Sequence, residues 1–194
     1  MAGEKYIVAT LDNPSQINIR NILNPGGYIF LGNCFDPVSL LRLIRSYNPD
    51  FVVVDLGMQP RELRKTIETI DDEMLCACIA LGDYRDIENE NLVQRCKVLT
   101  LCQKPLSREI FLNTVELANM YYKRLSETEQ KLKEMTENYE TRKSVERAKW
   151  ILIKRDGISE AEAYERMRKK SMDSRLTMKA IAEAIIFTHE IEGK

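Results

Sequence analysis

The stretch FVVVD, residues 51–55, places four consecutive apolar side chains before a carboxylate. A strand with one face in water alternates apolar and polar residues, whereas this run has no polar alternation, so both of its faces must be covered. Strands of this kind are typical of a parallel sheet that carries helices on both sides. The stretch therefore predicts a central strand of an α/β domain, with Asp55 at its carboxyl end.

Four further apolar runs, at residues 6–10, 28–31, 75–81 and 98–102, alternate with helical patterns around this strand. Turn and capping signals separate them: Asn24-Pro25-Gly26-Gly27 ends the first helical pattern, and Asp36-Pro37 supplies an N-cap and a first-turn proline for the second. Five βα units in this order predict a doubly wound α/β domain of the flavodoxin type over residues 1–106.

The chain after Pro105 contains no glycine or proline until Gly157, which predicts one long helix. Alternating steps of four and three residues trace a heptad seam with polar interruptions. Its members are Tyr121, Leu125, Thr128, Leu132, Met135, Tyr139 and Arg142. The seam predicts a coiled-coil helix over residues 107–138 and a homodimer, although a single helix that folds back on its own domain would show a similar stripe.

The tail, residues 139–194, predicts a small all-α domain of three helices. Gly157 can end the long helix at the position where a left-handed backbone costs least. Ser159 and Glu162 have the spacing of a capping box for the second helix, and Thr177 can cap the third. Five alanines at 161, 163, 180, 182 and 184 allow close packing of helices, so we expect them to lie in the core.

Charge is distributed unevenly along the chain. Residues 1–137 carry 16 basic and 20 acidic side chains, whereas residues 138–194 carry 13 basic and 10 acidic ones. The basic excess of the tail makes an anionic partner plausible there, and solvated helix faces would give the same excess. No apolar signal region or bilayer-spanning run is present, and the five cysteines suit reduced thiols, so we expect a cytoplasmic protein without membrane contact.

Part of the tail closely resembles the ANTAR domain, over roughly residues 141–187. The resemblance rests on Val145-Glu146-Arg147-Ala148-Lys149, on Gly157-Ile158-Ser159-Glu160-Ala161-Glu162-Ala163-Tyr164, on Met167-Arg168-Lys169-Lys170-Ser171-Met172-Asp173 with Arg175, and on Ala182-Glu183-Ala184-Ile185. Trp150 departs from the family, in which glycine is usual at this position. The resemblance implies a non-enzymatic transcription antiterminator, in which a dimer binds paired hairpin loops of a leader transcript.

RNA recognition of this kind needs cations for the phosphates and side chains that meet unstacked loop bases. Lys149 and Arg168 lie on positions of the family motif and are our first candidates for RNA contacts. Lys154, Lys169, Arg175 and Lys179 are added from charge alone. Tyr164 could stack on a base, but we expect an aromatic residue so close to a helix start to belong to the core.

The first domain looks like the receiver or pseudo-receiver domain that precedes the ANTAR domain in response regulators. That resemblance implies Asp55 as the candidate phospho-acceptor and Lys104 as the lysine that contacts the phosphate. Thr10 and Leu11 occupy the positions of the Mg²⁺-binding acid pair, with Asp12, a weak candidate metal ligand, one place late. The hydroxyl of the fourth strand is also missing, because Ala80 and Leu81 occupy its place.

One displaced carboxylate should bind Mg²⁺ poorly, since this ion is held mainly by carboxylates and water. We therefore expect a pseudo-receiver without a resident cofactor, with Mg²⁺ involved only if Asp55 is phosphorylated. Its input would come from a sensor kinase or from a separate ligand-sensing protein. Two other functions remain open at this point: a phosphorylation-activated, DNA-binding response regulator, and a protein-only scaffold that signals through its coiled coil.

Overall fold

The computed structural model describes residues 3–58, 60–82 and 95–192. It divides into two compact units, Met1–Glu127 and Thr128–Lys194. The predicted domain limit at residue 138 falls inside a continuous helix, Arg108–Asp156. In the described part of the chain, none of the helices combines the length and apolarity needed to cross a membrane.

The first unit contains a five-stranded parallel sheet with the order β2-β1-β3-β4-β5. The strands are β1 (Lys5–Ala9), β2 (Ile29–Cys34), β3 (Phe51–Asp55), β4 (Ala77–Gly82) and β5 (Leu99–Gln103). The helices are α1 (Asn13–Leu23), α2 (Pro37–Tyr47), α3 (Pro60–Asp72) and the first part of α4 (Arg108–Asp156). This arrangement confirms the predicted doubly wound α/β fold.

Both faces of the sheet are covered, as the FVVVD stretch requires. Val52 and Val54 of β3 pack into a core that includes side chains of α2 and α3. Phe51 and Val53 belong to a second core that includes side chains of α1 and α4. Successive side chains of a strand point to opposite faces, so one uninterrupted apolar strand serves both cores.

The second unit contains the last part of α4 together with α5 (Glu160–Ser174) and α6 (Met178–Glu192). Its core consists of small and medium side chains from all three helices. They are Ala148, Leu152, Ala163, Met167, Ile181 and Ala182. A three-helix all-α region was predicted here, and the structure confirms it.

Local signals define the helix ends of this unit as the sequence predicts. Gly157 follows α4 with φ of 67°, and the Ser159 and Glu162 side chains form both halves of a capping box at the start of α5. The Thr177 hydroxyl accepts a hydrogen bond from the N–H of Ala180. Arg175 ends α5 in the left-handed region with φ of 56°, which the sequence did not indicate.

Two expectations about packing need correction. Ala163 and Ala182 are fully buried, but Ala161 and Ala184 are exposed. Tyr164 is 45% exposed and lies at the surface of α5. The alanine pattern identifies positions where helices can approach closely, but the crossing of the neighbouring helix decides which of them are covered.

The predicted heptad seam along α4 contains residues in two different environments. Leu125 is half-buried and packs against the sheet core. Leu132, Met135 and Tyr139 are 60–69% exposed, and every residue from 131 to 140 is exposed. This part of the seam therefore has its apolar side chains in solvent in the single chain.

Candidate functional site

In the first unit, the carboxyl ends of three strands bring Asp55, Thr10 and Lys104 together. Asp55 is the last residue of β3, while Thr10 directly follows β1 and Lys104 directly follows β5. Parallel strands end at the same edge of a sheet, so residues from distant parts of the chain meet there. The structure thus places the candidate phospho-acceptor and the receiver lysine in contact.

The Asp55 carboxylate is enclosed by donors from its own chain. Lys104 Nζ lies 2.8 Å from each carboxylate oxygen. The Thr10 hydroxyl donates to Oδ2 at 3.0 Å, and the backbone N–H of Gly57 donates to Oδ1 at 3.1 Å. Asp55 is only 6% exposed, so these donors replace most of the hydration that the carboxylate loses on folding.

The electrostatic environment keeps this carboxylate ionised. Burial by itself would raise the pKa of Asp55, but the hydrogen bond from Lys104 opposes that effect. The N–H of Gly57, the Thr10 hydroxyl and the positive charge of Lys104 add to the opposition, so the pKa lies below the usual aspartate value. Asp55 and Lys104 therefore form a stable ion pair near neutral pH.

The residues around Asp55 do not suit Mg²⁺. Leu11 offers no ligand and is 57% exposed, while Asp12 caps α1, its Oδ2 accepting a hydrogen bond from the N–H of Ser15 at 3.1 Å. Leu81 lies opposite Asp55 in the β3–β4 register and has no hydroxyl. No group of three or more acidic, histidine or cysteine side chains among residues 3–58, 60–82 and 95–192 is arranged to hold a metal.

In the second unit, the side chain of Lys149 is enclosed by two carboxylates. It is 7% exposed, and its Nζ lies 2.7 Å from Glu146 Oε1 and 2.7 Å from Glu160 Oε1. These two hydrogen bonds raise the pKa of Lys149 above the usual lysine value. Because Glu146 belongs to α4 and Glu160 begins α5, Lys149 links these helices, and a contact between Lys149 and RNA stays a prediction.

The other predicted RNA contacts are less enclosed. Four of them are exposed: Lys154, Arg168, Lys169 and Arg175. Lys179 is half-buried. Two of them have an acidic neighbour: Arg168 lies 3.3 Å from Glu165, and Lys179 lies 3.4 Å from Glu140. Such surface pairs contribute little to stability.

Trp150, the residue that departs from the family pattern, is 53% exposed. The Lys154 ammonium lies 4.2 Å from the centroid of its ring, within the range of a cation–π contact. The bulky side chain is thus accommodated at the surface of α4, next to a predicted RNA-binding cation.

Three cations near the predicted set were not selected from the sequence. Arg155, Arg166 and Lys170 lie with Lys169 around one concave surface of the second unit. The spacing of 166, 169 and 170 on α5 places these side chains on a single helix face, and this signal could have identified them.

Comparison with known proteins identifies a domain in the last third of the chain. Residues 133–186 match the model of the ANTAR domain. The transcriptional regulatory protein PdtaR of Mycobacterium tuberculosis is 27% identical over 187 residues, which cover 95% of this chain and 90% of the relative.

Solved structures similar to this chain include signal receiver domains. That of a modulated diguanylate cyclase from Desulfovibrio desulfuricans G20 has a TM-score of 0.56 and 17% identity, and the match covers 62% of this chain and 97% of that one. The receiver domain of an HD domain-containing protein from Pseudomonas fluorescens Pf-5 has a TM-score of 0.57 and 14% identity. This match covers 66% of this chain and 94% of that one. These structures establish a receiver-like fold for the first unit. The chain thus combines a first unit of receiver-like fold with a region, residues 133–186, that matches the ANTAR domain.

Proposed function

We propose that the protein is an RNA-binding regulator of transcription antitermination that acts on paired hairpin loops of a leader transcript. The observation that carries this proposal is the set of exposed cations in the ANTAR domain, above all Arg168, Lys169 and Lys170 on α5. Hairpin loops expose phosphates and unstacked bases together, and an array of cations on rigid helices can meet both. No covalent bond is made or broken in this activity.

The proposal includes a homodimer formed along α4. Leu132, Met135 and Tyr139 lie in solvent in the single chain and follow heptad spacing, so a second copy of the helix could cover them. Two linked ANTAR domains would then bind two hairpins of one transcript. Binding of the second hairpin becomes intramolecular, which raises the affinity of the pair above that of each contact.

Control by the first unit is proposed to proceed without phosphoryl transfer. The Asp55 carboxylate already receives hydrogen bonds from Lys104, Thr10 and Gly57, and Asp12 is engaged as a helix cap. The input would be contact with a partner protein in the cytoplasm, one that senses a ligand, and Mg²⁺ would have no part. A sensor kinase becomes the partner if Asp55 is phosphorylated after all.

RNA binding is tested with the purified full chain and three probes. These are a pool of RNAs with two stem-loops and randomised loops, a single long RNA duplex and a DNA duplex. We expect enrichment of a common loop sequence from the pool and weak, salt-sensitive binding to both duplexes. Preferred binding to the DNA duplex would replace the proposal with a DNA-binding regulator. Equally weak binding to all three would favour a protein-only scaffold.

Phosphorylation is tested separately with acetyl phosphate and Mg²⁺, followed by Phos-tag gel electrophoresis. We expect no shifted band for the parent protein, because no acidic cluster suitable for the metal exists in the described ranges. A shifted band that disappears in Asp55→Ala would show that the receiver is catalytically competent and that control without phosphoryl transfer is wrong.

A further inference from the structure

A pocket of about 430 Å³ opens between α4, α5 and α6 of the ANTAR domain. Leu152, Met167 and Ile181 contribute one apolar side chain from each helix to its lining, and each is at most 6% exposed. Ile185 and Ala184 of α6 continue this apolar surface toward solvent. The helices therefore leave an apolar concavity directly beside the core of the unit.

Four cations surround this apolar floor. Arg155 and Arg166 both form ion pairs with Asp156. Lys169 and Lys170 are exposed, and neither side chain forms an ion pair within the described part of the chain. Asp173 is the only acidic residue in the described lining, so the mouth of the pocket carries a net positive charge.

The combination of an apolar floor and a cationic rim suggests what the pocket can hold. An inorganic anion would pair with the cations of the rim but would make no apolar contact with the floor. An apolar peptide segment would contact the floor but would leave the cations of the rim unpaired. A nucleotide uses both, because the faces of its base are apolar and its phosphates are anionic. Asp173 and Thr188 lie in the same lining and can meet the polar edge of a base.

We propose that this pocket takes one unstacked nucleotide from a loop of the bound RNA, with its base on the Leu152–Met167–Ile181 floor and its flanking phosphates at Lys169 and Lys170. The inference rests on the proposed RNA-binding function and adds a specific site to it. Bases inside a duplex cannot enter, since they remain stacked and paired, so the pocket also supplies a physical reason for preferring loops to duplexes.

The test fills the pocket without removing core side chains. Ala184→Leu adds bulk at an exposed position of the pocket wall, and Ala161→Leu is the matched control at an exposed alanine of α5 outside the lining. With a loop RNA enriched from the two-stem-loop pool, Ala184→Leu should weaken binding by roughly 10-fold, the order expected when one stacked base is lost. Ala161→Leu should bind like the parent.

An abasic scan of the same RNA identifies the nucleotide. Removal of one particular loop base should weaken binding to the parent by a similar factor and should have little further effect on Ala184→Leu, because the two changes remove the same contact. A change from Lys169 to Gln should lower the slope of log affinity against log salt by about 0.7, the value for one phosphate contact in single-stranded nucleic acid. Lys143→Gln, which removes an exposed cation of α4 outside the lining, should leave the slope nearly unchanged.

The two proposals fail in different ways. If the parent protein enriches no loop sequence and binds every nucleic acid equally, the proposed function is wrong and this inference is lost with it. If the parent selects a loop RNA while Ala184→Leu binds it as tightly as Ala161→Leu, the RNA contacts another surface and the pocket assignment alone is overturned. Additive losses from the abasic site and from Ala184→Leu would likewise overturn it.

Discussion

Asp55 in the first unit receives hydrogen bonds from Lys104, Thr10 and Gly57. In the second unit, by contrast, Lys169 and Lys170 are exposed and form no ion pair in the described ranges. The carboxylate oxygens of Asp55 already accept hydrogen bonds from the protein, so an external cation would gain little by binding them. The two lysines of the second unit are free to pair with an external anion such as a phosphate of the proposed RNA. A charged side chain whose hydrogen bonds are all made within the protein is typical of a structural ion pair. An exposed charged side chain without such partners is typical of a binding surface.

Lys149 lies in the second unit, but its ammonium group is paired with carboxylates, as that of Lys104 is in the first. Both ammonium groups contact carboxylates at 2.7–2.8 Å. Lys149 is more enclosed, with 9% of its side chain exposed against 32% for Lys104. A motif position of the ANTAR domain can therefore stabilise the packing of its helices.

The largest expected effect concerns the exposed part of the heptad seam. Leu132→Asp combined with Met135→Asp places two like charges at the proposed helix contact and should convert the dimer to a monomer. Binding to a two-stem-loop RNA should fall by roughly 100-fold, since the two ANTAR domains are no longer linked. Sedimentation and filter binding measure the two effects.

The matched control for this change is Thr136→Asp, which adds an acid at an exposed position of α4 that is not a member of the seam. It should remain dimeric and bind RNA with at most a small loss from added negative charge. An unchanged dimer in the Leu132 and Met135 double variant would show that the seam does not hold two copies together.

The next effect is on stability and concerns Lys149. Lys149→Ala removes the buried stem as well as the ammonium and should lower the free energy of unfolding by about 2 kcal/mol, from three buried methylene groups at about 0.8 kcal/mol each. Lys149→Met keeps most of the stem and should cost less than about 1 kcal/mol. Urea unfolding measures both values.

The same Met variant separates the two roles of Lys149. If the residue only joins α4 to α5, Lys149→Met should fold normally and bind loop RNA nearly as well as the parent. A folded Lys149→Met protein that no longer binds RNA would show that Lys149 contacts the RNA. Burial of a cation would then not exclude it from the RNA interface.

A smaller effect is expected at Arg168, whose guanidinium is exposed and lies 3.3 Å from Glu165. Arg168→Gln should weaken loop RNA binding by about 5-fold and lower the salt slope by about 0.7, because one phosphate contact is lost. Its thermal stability should not change, since the surface pair with Glu165 contributes little. Titrations at several salt concentrations test this, and an unchanged slope would place Arg168 outside the RNA interface.

The smallest effect is the pH dependence at Asp55. Its pKa is lower in the folded protein than in the unfolded chain, so its ion pair contributes stability at neutral pH that is lost as the pH falls through the folded-state pKa. The stability difference between the parent and Asp55→Asn should therefore be constant near pH 7 and shrink below about pH 4, the region of the ordinary aspartate pKa. Thermal unfolding at a series of pH values measures it. A difference that does not change with pH would mean that Asp55 and Lys104 are not coupled.

Much of the fold could be predicted because its signals are local. The FVVVD stretch indicates a doubly covered strand, and Gly157, Ser159 with Glu162, and Thr177 mark helix ends through contacts within a few residues. Asp55, which ends β3, and Lys104, which follows β5, were identified by the resemblance to receiver domains. The predictions of the strand and of the helix ends depend only on periodicity and on chemistry between near neighbours in the sequence.

The sequence by itself determined the order of strands and helices, the ANTAR-like motif and the excess of basic residues near the end of the chain. Only the tertiary structure decided that Lys149 is enclosed by Glu146 and Glu160. It also decided that Ala184 is exposed while Ala182 is buried. Finally, it decided that three helices leave an apolar pocket beside Lys169 and Lys170. The physical reason is that helical periodicity fixes which residues share a face, whereas burial and ion pairing depend on which face of another helix is brought against it.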